Sequence, residues 1–433
     1  VRHRSNVITR RTALLGIAAT TAAATLGCSR RDDDVVRFWG VGREGEAAVE
    51  VAREFMRENP SIRVDVQRLP WTAAHEKLLT AFAGDALPDL CQLGNTWVPE
   101  FEALNALEPL DAFVSATQLP VSDFFPGVFE ANRIDGVLYG VPWYVDTRLL
   151  YYRTDMLRDA GFPEPPQTWS EWSEMLAAIK RMVGPRRYSV LLPLNEFEQL
   201  LVFALQQPGE LLRDNGRYGN FRSADFRRAL EFYYGMFERQ WAPRMTNTQV
   251  SNVWDEFGNG LFAFYMSGPW NIAEFKKRLP DRLQGDWMTA PVPGPEGPGV
   301  SSAGGASLVI FKSSRLKEQA WKFAQYLSSV DTQRRFYQRT GDLPPRISTW
   351  ESPELTQSAY ARAFRTQLDR VRSPPKVPEW ERIAQEMRLA AERVVQGAST
   401  IDRALVALDR KTDEILEKRR WMMDRPKRMS DRG

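Results

Sequence analysis

Between Val35 and Leu93 short apolar runs alternate with helical patterns, and this alternation restricts the fold more than any other feature of the chain. Val35 to Trp39 reads as a short strand. From Glu44 to Glu58 the residues Ala47, Ala48, Val51, Ala52, Phe55 and Met56 recur at helical spacing, and Asn59-Pro60 stops the helix. Ile62, Val64 and Val66 alternate with Arg63, Asp65 and Gln67, the period of a half-buried strand. Thr72 to Phe82 predicts a second helix, ended by Gly84, and Leu90 to Leu93 a third strand. Strands and helices in this succession imply parallel pairing with right-handed crossovers, hence an α/β lobe. Ligands of such sheets sit beyond the carboxyl ends of strands, here Trp39 to Glu44, Gln67 to Trp71 and Asn95 to Trp97.

At 433 residues the chain is long enough for two or three domains with real cores. The formal charge is +3, and removing the four arginines of residues 1–27, which include no acid, leaves −1. Such a balance does not ask for nucleic acid. Two cysteines, Cys28 and Cys91, and two histidines, His3 and His75, are too few and too scattered for a tetrahedral zinc site or a disulfide framework. There is no phosphate loop of the GxxxxGK type, so no metal, nucleotide or other cofactor is expected.

The N-terminus reads as an export signal. Thr9-Arg10-Arg11 precedes an Ala-rich apolar run from Thr12 to Leu26, shorter than the span of about 20 residues that a membrane helix needs. The twin arginine points to the Tat route. The run ends at Gly27-Cys28, followed by the polar SRRDDD, so residues 1–28 are assigned to the signal and 29–34 to a linker.

The stretch Gly140 to Arg153, GVPWYVDTRLLYYR, is expected to cross between two lobes beside a ligand cleft, with Leu149 to Tyr152 as a strand. Ile134-Asp135-Gly136-Val137 before it is a hairpin signal. Thr168-Trp169-Ser170-Glu171 is a capping box opening a helix that buries Trp172, Met175, Leu176 and Ile179. Helices follow over Glu196 to Gln206, Ala224 to Phe237 and Val253 to Gly258, then a strand over Leu261 to Met266. The small-residue run Ser301 to Ser307 returns the chain to the first lobe before a strand at Leu308 to Phe311. Ala320 to Leu327 is helical, Gly341 to Arg346 crosses back, and helices close the chain over Trp380 to Val395 and Thr400 to Glu417. From Lys418 the basic end reads as a frayed tail.

The order of these signals resembles the extracellular solute-binding proteins of ABC importers, in the sugar-binding family that includes maltose- and trehalose-binding proteins. The resemblance is carried by VRFWG, FMRENPSIRVDV, GDALPDL, GVLYGVPWYVDTRLLYYRTDMLRDAGFPEPPQTWSEW, FGNGLFAFYMSGPWNI, SSAGGASLVIF and TGDLPPR, and covers nearly all the chain after the signal. It implies a two-lobed α/β fold of the periplasmic-binding-protein kind, with discontinuous lobes that close like a hinge. The first lobe would comprise 35–143 and 305–343, the second 144–304 and 344–420, with 421–433 a basic tail. The implied function is non-catalytic capture of a carbohydrate for delivery to the membrane permease of an ABC importer, by a monomer without cofactor. Gly27-Cys28 resembles the box at which bacterial lipoproteins are acylated on cysteine, although Thr25 stands where that box carries Leu. The protein would then be exported and held to the membrane by lipid on Cys28.

A sugar offers hydroxyls that need hydrogen-bond partners and C–H faces that pack on rings. Asp146 and Tyr144 at the crossover, Trp270 after a Gly-Pro turn, and Gly304 and Gly305, whose backbone a ligand can approach closely, form the leading candidate set. Glu44, Trp71, Asn95, Trp97, Asp342 and Arg346 complete it. Each has a plain structural alternative: a hinge hydrogen bond for Asp146, core packing for Trp270, shaping of a strand for the glycines, and a helix cap, surface contact or interlobe pair for the others. Trp143, Trp169, Trp172, Trp241 and Trp321 are assigned to the core. A secreted carbohydrate-active enzyme is the main competing reading; it would need two carboxyls about 5 to 9.5 Å apart, and although Asp146 with Glu44 or Glu196 can be imagined in that role, nothing in the sequence marks such a pair. A receptor for polyols or glycerophosphodiesters, and a surface adhesin with an open face, are further alternatives.

Overall fold

The computed structural model describes residues 34–250 and 252–424. The whole signal-like segment, Cys28 included, most of the linker, and residues 425–433 of the basic tail lie outside the described residues. From Val36 onward the chain forms one body, built on two separate sheets.

The first sheet has five strands in the order Arg63–Leu69, Val35–Val41, Leu90–Gly94, Gly304–Ile310 and Val141–Asp146. Its central strands are apolar on both faces, as strands covered on both sides must be. Val36, Phe38, Leu90, Leu308 and Ile310 enter one core cluster with Phe55, Trp143, Trp321 and Phe323. The alternate residues Trp39, Val41, Cys91, Leu93 and Val309 enter a second with Leu78, Phe101 and Phe311. Parallel pairing is found between Val35–Val41 and Leu90–Gly94. The Gly304–Ile310 strand, however, runs antiparallel to both its neighbours. A chain that returns from elsewhere is not held to the direction of a crossover unit, so the sheet is mixed.

The second sheet has four strands in the order Trp287–Ala290, Leu149–Arg153, Phe264–Ser267 and Val190–Leu191. Only the last pair is parallel. Its large core holds Trp172, Phe203, Phe264, Trp287 and Trp380. The helix Trp169–Val183 has the capping box in full: Glu171 N–H donates to Thr168 Oγ1 at 3.1 Å, and Thr168 N–H donates to Glu171 Oε2 at 3.2 Å.

Several elements differ from the sequence reading. The small-residue run is not a lead-in, because Gly304 to Ser307 are themselves strand. Phe264, not Leu261, begins its strand, since Asn259 to Leu261 still turn out of the preceding helix. Helices at Asn271–Arg278 and Val330–Thr340 carry too few apolar residues for their period to be seen, whereas Ala359–Leu368, with Ala361, Phe364 and Leu368 at helical spacing, was simply not read. The tail is helical over Glu417–Met423. Trp143, Trp169, Trp172, Trp241 and Trp321 are all buried, as expected.

Candidate functional site

The Val141–Asp146 strand ends the first sheet and Leu149–Arg153 begins in the second, so only Thr147 and Arg148 separate the two. Tyr144, Val145 and Asp146 still pair with Gly304, Gly305 and Ala306 in the first sheet. The approach is close: a Cβ on Gly305 would lie 2.3 Å from the Tyr144 carbonyl oxygen, and one on Gly304 2.7 Å from that of Asp146. Gly305 also has φ +117°, a conformation side chains avoid.

At this junction lies a cavity of about 370 Å³. Trp71, Asn95, Trp97, Tyr144, Asp146, Gly304 and Gly305, all singled out in the sequence, line it. So do Thr96, Arg148, Phe197, Glu198, Ser302, Pro374 and Glu381, which were not. Trp71 opens the helix Trp71–Ala83, is 40% exposed, and meets the Trp97 ring edge-on at 5.6 Å. His75, on the same helix, packs on Trp97 and lies 2.6 Å from Glu100. That hydrogen bond is the main reason the His75 pKa is raised.

Arg148 is the electrostatic centre of the site. Its Nη1 donates to Asp146 Oδ1 at 2.7 Å and its Nη2 to Glu198 Oε1 at 3.1 Å. The guanidinium lies 4.9 Å from the centre of the Trp270 ring, a cation–π contact. Also lining the cavity, Thr96 Oγ1 donates to Glu381, whose carboxyl is pushed above the usual range by burial. Asn95 Oδ1 accepts from Ser307 Oγ at 2.9 Å, while its Nδ2 is buried without a partner among the described residues.

Tyr144 is buried, and its hydroxyl accepts from Gln92 Nε2 at 3.0 Å. Four candidates do not line the cavity. Trp270, half-buried, supports Arg148 instead. Glu44 sits in the first turn of the helix Gly42–Glu58. It adjoins Asp342, whose carboxyl is raised well above its ordinary range by burial and then by Glu44. Arg346 is turned away, with Nε 2.6 Å from Asp123 Oδ2 and Nη1 3.2 Å from the Ser328 carbonyl. Its expected place in the cleft is therefore not what the structure shows, because the Asp123 carboxylate takes the guanidinium.

Arg148, Glu198 and Glu381 were missed for a physical reason. The two glutamates stand in first turns of helices, where acids complement the helix dipole and so attract no notice. Arg148 lies two residues past Asp146, and that spacing was the one available signal.

A larger depression of about 590 Å³, bounded by 205–216 and 372–377, has no aromatic ring among its lining residues. It offers no surface on which a sugar face stacks. Among the described residues no group of three or more His, Cys, Asp or Glu is placed to hold a metal ion, and no helix is long and apolar enough to cross a membrane.

The two sheets thus meet at a cavity of about 370 Å³ lined by aromatic and polar side chains. The chain belongs to the bacterial extracellular solute-binding proteins, whose family model matches residues 39–334. It is similar to the sugar-binding protein MalE from the phytopathogen Xanthomonas citri, with 58% identity and a TM-score of 0.89, over 90% of this chain and 100% of that one. The fold is accordingly the two-lobed one of the periplasmic binding proteins. It is also similar to the diacetylchitobiose binding protein DasA of Streptomyces coelicolor, 22% identical over 414 residues, 90% of this chain and 95% of the relative. A lipoprotein of Streptomyces antibioticus is 25% identical over 378 residues, 82% of this chain and 80% of that one.

Proposed function

We propose that the protein captures a mono- or oligosaccharide in the cavity at the lobe junction and delivers it to the permease of an ABC importer, acting as a monomeric exported lipoprotein without catalysis. The observation that carries this reading is the lining of the cavity, which brings two tryptophan rings together with polar side chains at the lobe junction. A sugar needs both, ring surface for its C–H faces and partners for its hydroxyls. Trp71 and Trp97 supply ring surface, and Asp146, Glu198 and Glu381 supply acceptors. The sugar-binding name of the similar Xanthomonas protein supports the ligand class, and the Streptomyces lipoprotein supports the anchor.

An enzyme would need one carboxyl of a pair free to give up a proton. Asp146 and Glu198 instead share one guanidinium, that of Arg148, so neither is free of a partner. A thermal-shift screen of the full chain against sugars and polyols tests the proposal. A ligand at 100 times its dissociation constant adds about 2.7 kcal/mol. A clear rise in melting temperature with at least one sugar is expected, and no response to any sugar would overturn the reading.

A further inference from the structure

We infer that the cavity selects its ligand by charge, taking neutral or amine-bearing saccharides and rejecting anionic ones, with Glu381 setting the preference. The inference rests on the sugar-binding reading and goes beyond it to the chemical class of sugar.

Three carboxylates, Asp146, Glu198 and Glu381, line the cavity against one guanidinium, that of Arg148. That cation is already spent. Both its terminal nitrogens are bound to carboxylates, its flat face lies on Trp270, and the residue is only 8% exposed. A phosphate or uronate could reach it only by displacing Asp146 or Glu198, leaving that acid unpaired. Of the helix N-termini at the cavity, the other common anion sites, that of Trp71–Ala83 carries no acid in its first turn, but two are taken. Glu198 is the first residue of the helix Glu198–Leu205 and Glu381 the second of Trp380–Val395, so each N-terminus carries its own acid. Nearby His75 is held by Glu100, and Lys376 donates to the Glu130 and Arg133 carbonyls.

Glu381 is the acid with capacity to spare. Its protein partner at the cavity is a neutral hydroxyl, that of Thr96. Burial opposes its negative charge most, the Thr96 hydrogen bond and nearby His75 favour it, and Glu198 and Glu100 oppose it further. An ammonium group placed beside it would relieve all three opposing effects, a neutral hydroxyl would accept the site as it stands, and an anion would add to the repulsion.

The test is calorimetric titration of the full chain at pH 7 and low salt with matched probes: maltose and trehalose, their 6-amino-6-deoxy derivatives and their 6-phosphates. For the disaccharide that binds, the phosphate is expected to bind at least about tenfold more weakly than the neutral sugar, and the amine as tightly or more so. Glu381→Gln keeps the acceptor for Thr96 and should narrow the amine-to-phosphate ratio by about tenfold. Glu198→Gln, with its apo melting temperature recorded, serves as the second variant and should narrow it too. A phosphate that binds as well as the neutral sugar, or a ratio that neither variant moves, overturns the charge inference alone. Failure of every neutral and amine probe counts against the sugar reading itself.

Discussion

Asp146 and Arg148, two residues apart, form an ion pair of 2.7 Å at the point where the chain leaves one sheet for the other. The same guanidinium holds Glu198 at 3.1 Å, so one side chain ties the end of a first-sheet strand to the start of a helix beside the second sheet. Removing it leaves two carboxylates facing each other and uncovers Trp270.

Arg148→Met should therefore destabilise the apo protein by about 2 to 3 kcal/mol, below the usual cost of breaking a fully buried pair because both carboxylates keep some contact with water. Urea denaturation measures this. Adding Glu198→Gln to the variant should recover part of the loss, and an additive further loss would show that the acids do not interact.

Gly305→Ala should be costly. The alanine would need φ near +117° with its Cβ 2.3 Å from the Tyr144 carbonyl, and strain of this kind costs about 1 to 3 kcal/mol before any clash. Gly136, at φ +84° with nothing within 4 Å, is the control. Gly136→Ala should lose only about 1 kcal/mol. Equal melting temperatures for the two variants would contradict the close approach of the strands.

The Asp342 carboxyl is raised above its ordinary value of 3.8, first by burial and then by Glu44. The folded state thus holds a proton that the unfolded state has already released once the pH passes 3.8. Stability contributed by this group consequently falls as pH rises from there to the folded-state pKa. Asp342→Asn should flatten that decline and raise stability at neutral pH. Chemical denaturation of both proteins across the acid range checks it, and an unchanged slope would exclude Asp342 as its source.

If Cys28 carries the lipid anchor, Cys28→Ala should move the protein from the membrane fraction to the soluble one. Stable anchoring takes two acyl chains, and the substitution removes their attachment point. Continued retention in the membrane fraction would contradict the proposed anchor.

Where the fold is written locally, it was legible in the sequence. The Thr168 capping box and the alternation of Ile62, Val64 and Val66 depend on neighbours within a few residues. Trp172 stands on a helical period, and the other core tryptophans follow from the general tendency of that side chain to be buried. The Val330–Thr340 helix was not legible, because its buried face is Thr332, Gln333, Phe336 and Thr340, too polar to mark a period. The site divides in the same way. Asp146, Trp71, Asn95 and Trp97 stand at strand or helix ends, where α/β sheets collect ligands, and all four line the cavity. Arg346 looked similar but is claimed by Asp123, 223 residues away in sequence. Glu381 joins the site only because Trp380–Val395 brings its first turn to Thr96 across 285 residues, a contact no local pattern encodes.

The central claim is that a sugar packs against the ring wall of this cavity. Trp71 is 40% exposed there, so its truncation should leave the apo fold intact while removing contact surface. Calorimetric titration of a sugar identified in the thermal screen, into the wild-type chain and into Trp71→Ala, tests this most directly. A loss of about 2 kcal/mol in binding, with the apo melting temperature nearly unchanged, is the predicted result. Equal affinity of the two proteins for that sugar would contradict the placement of the ligand in this cavity.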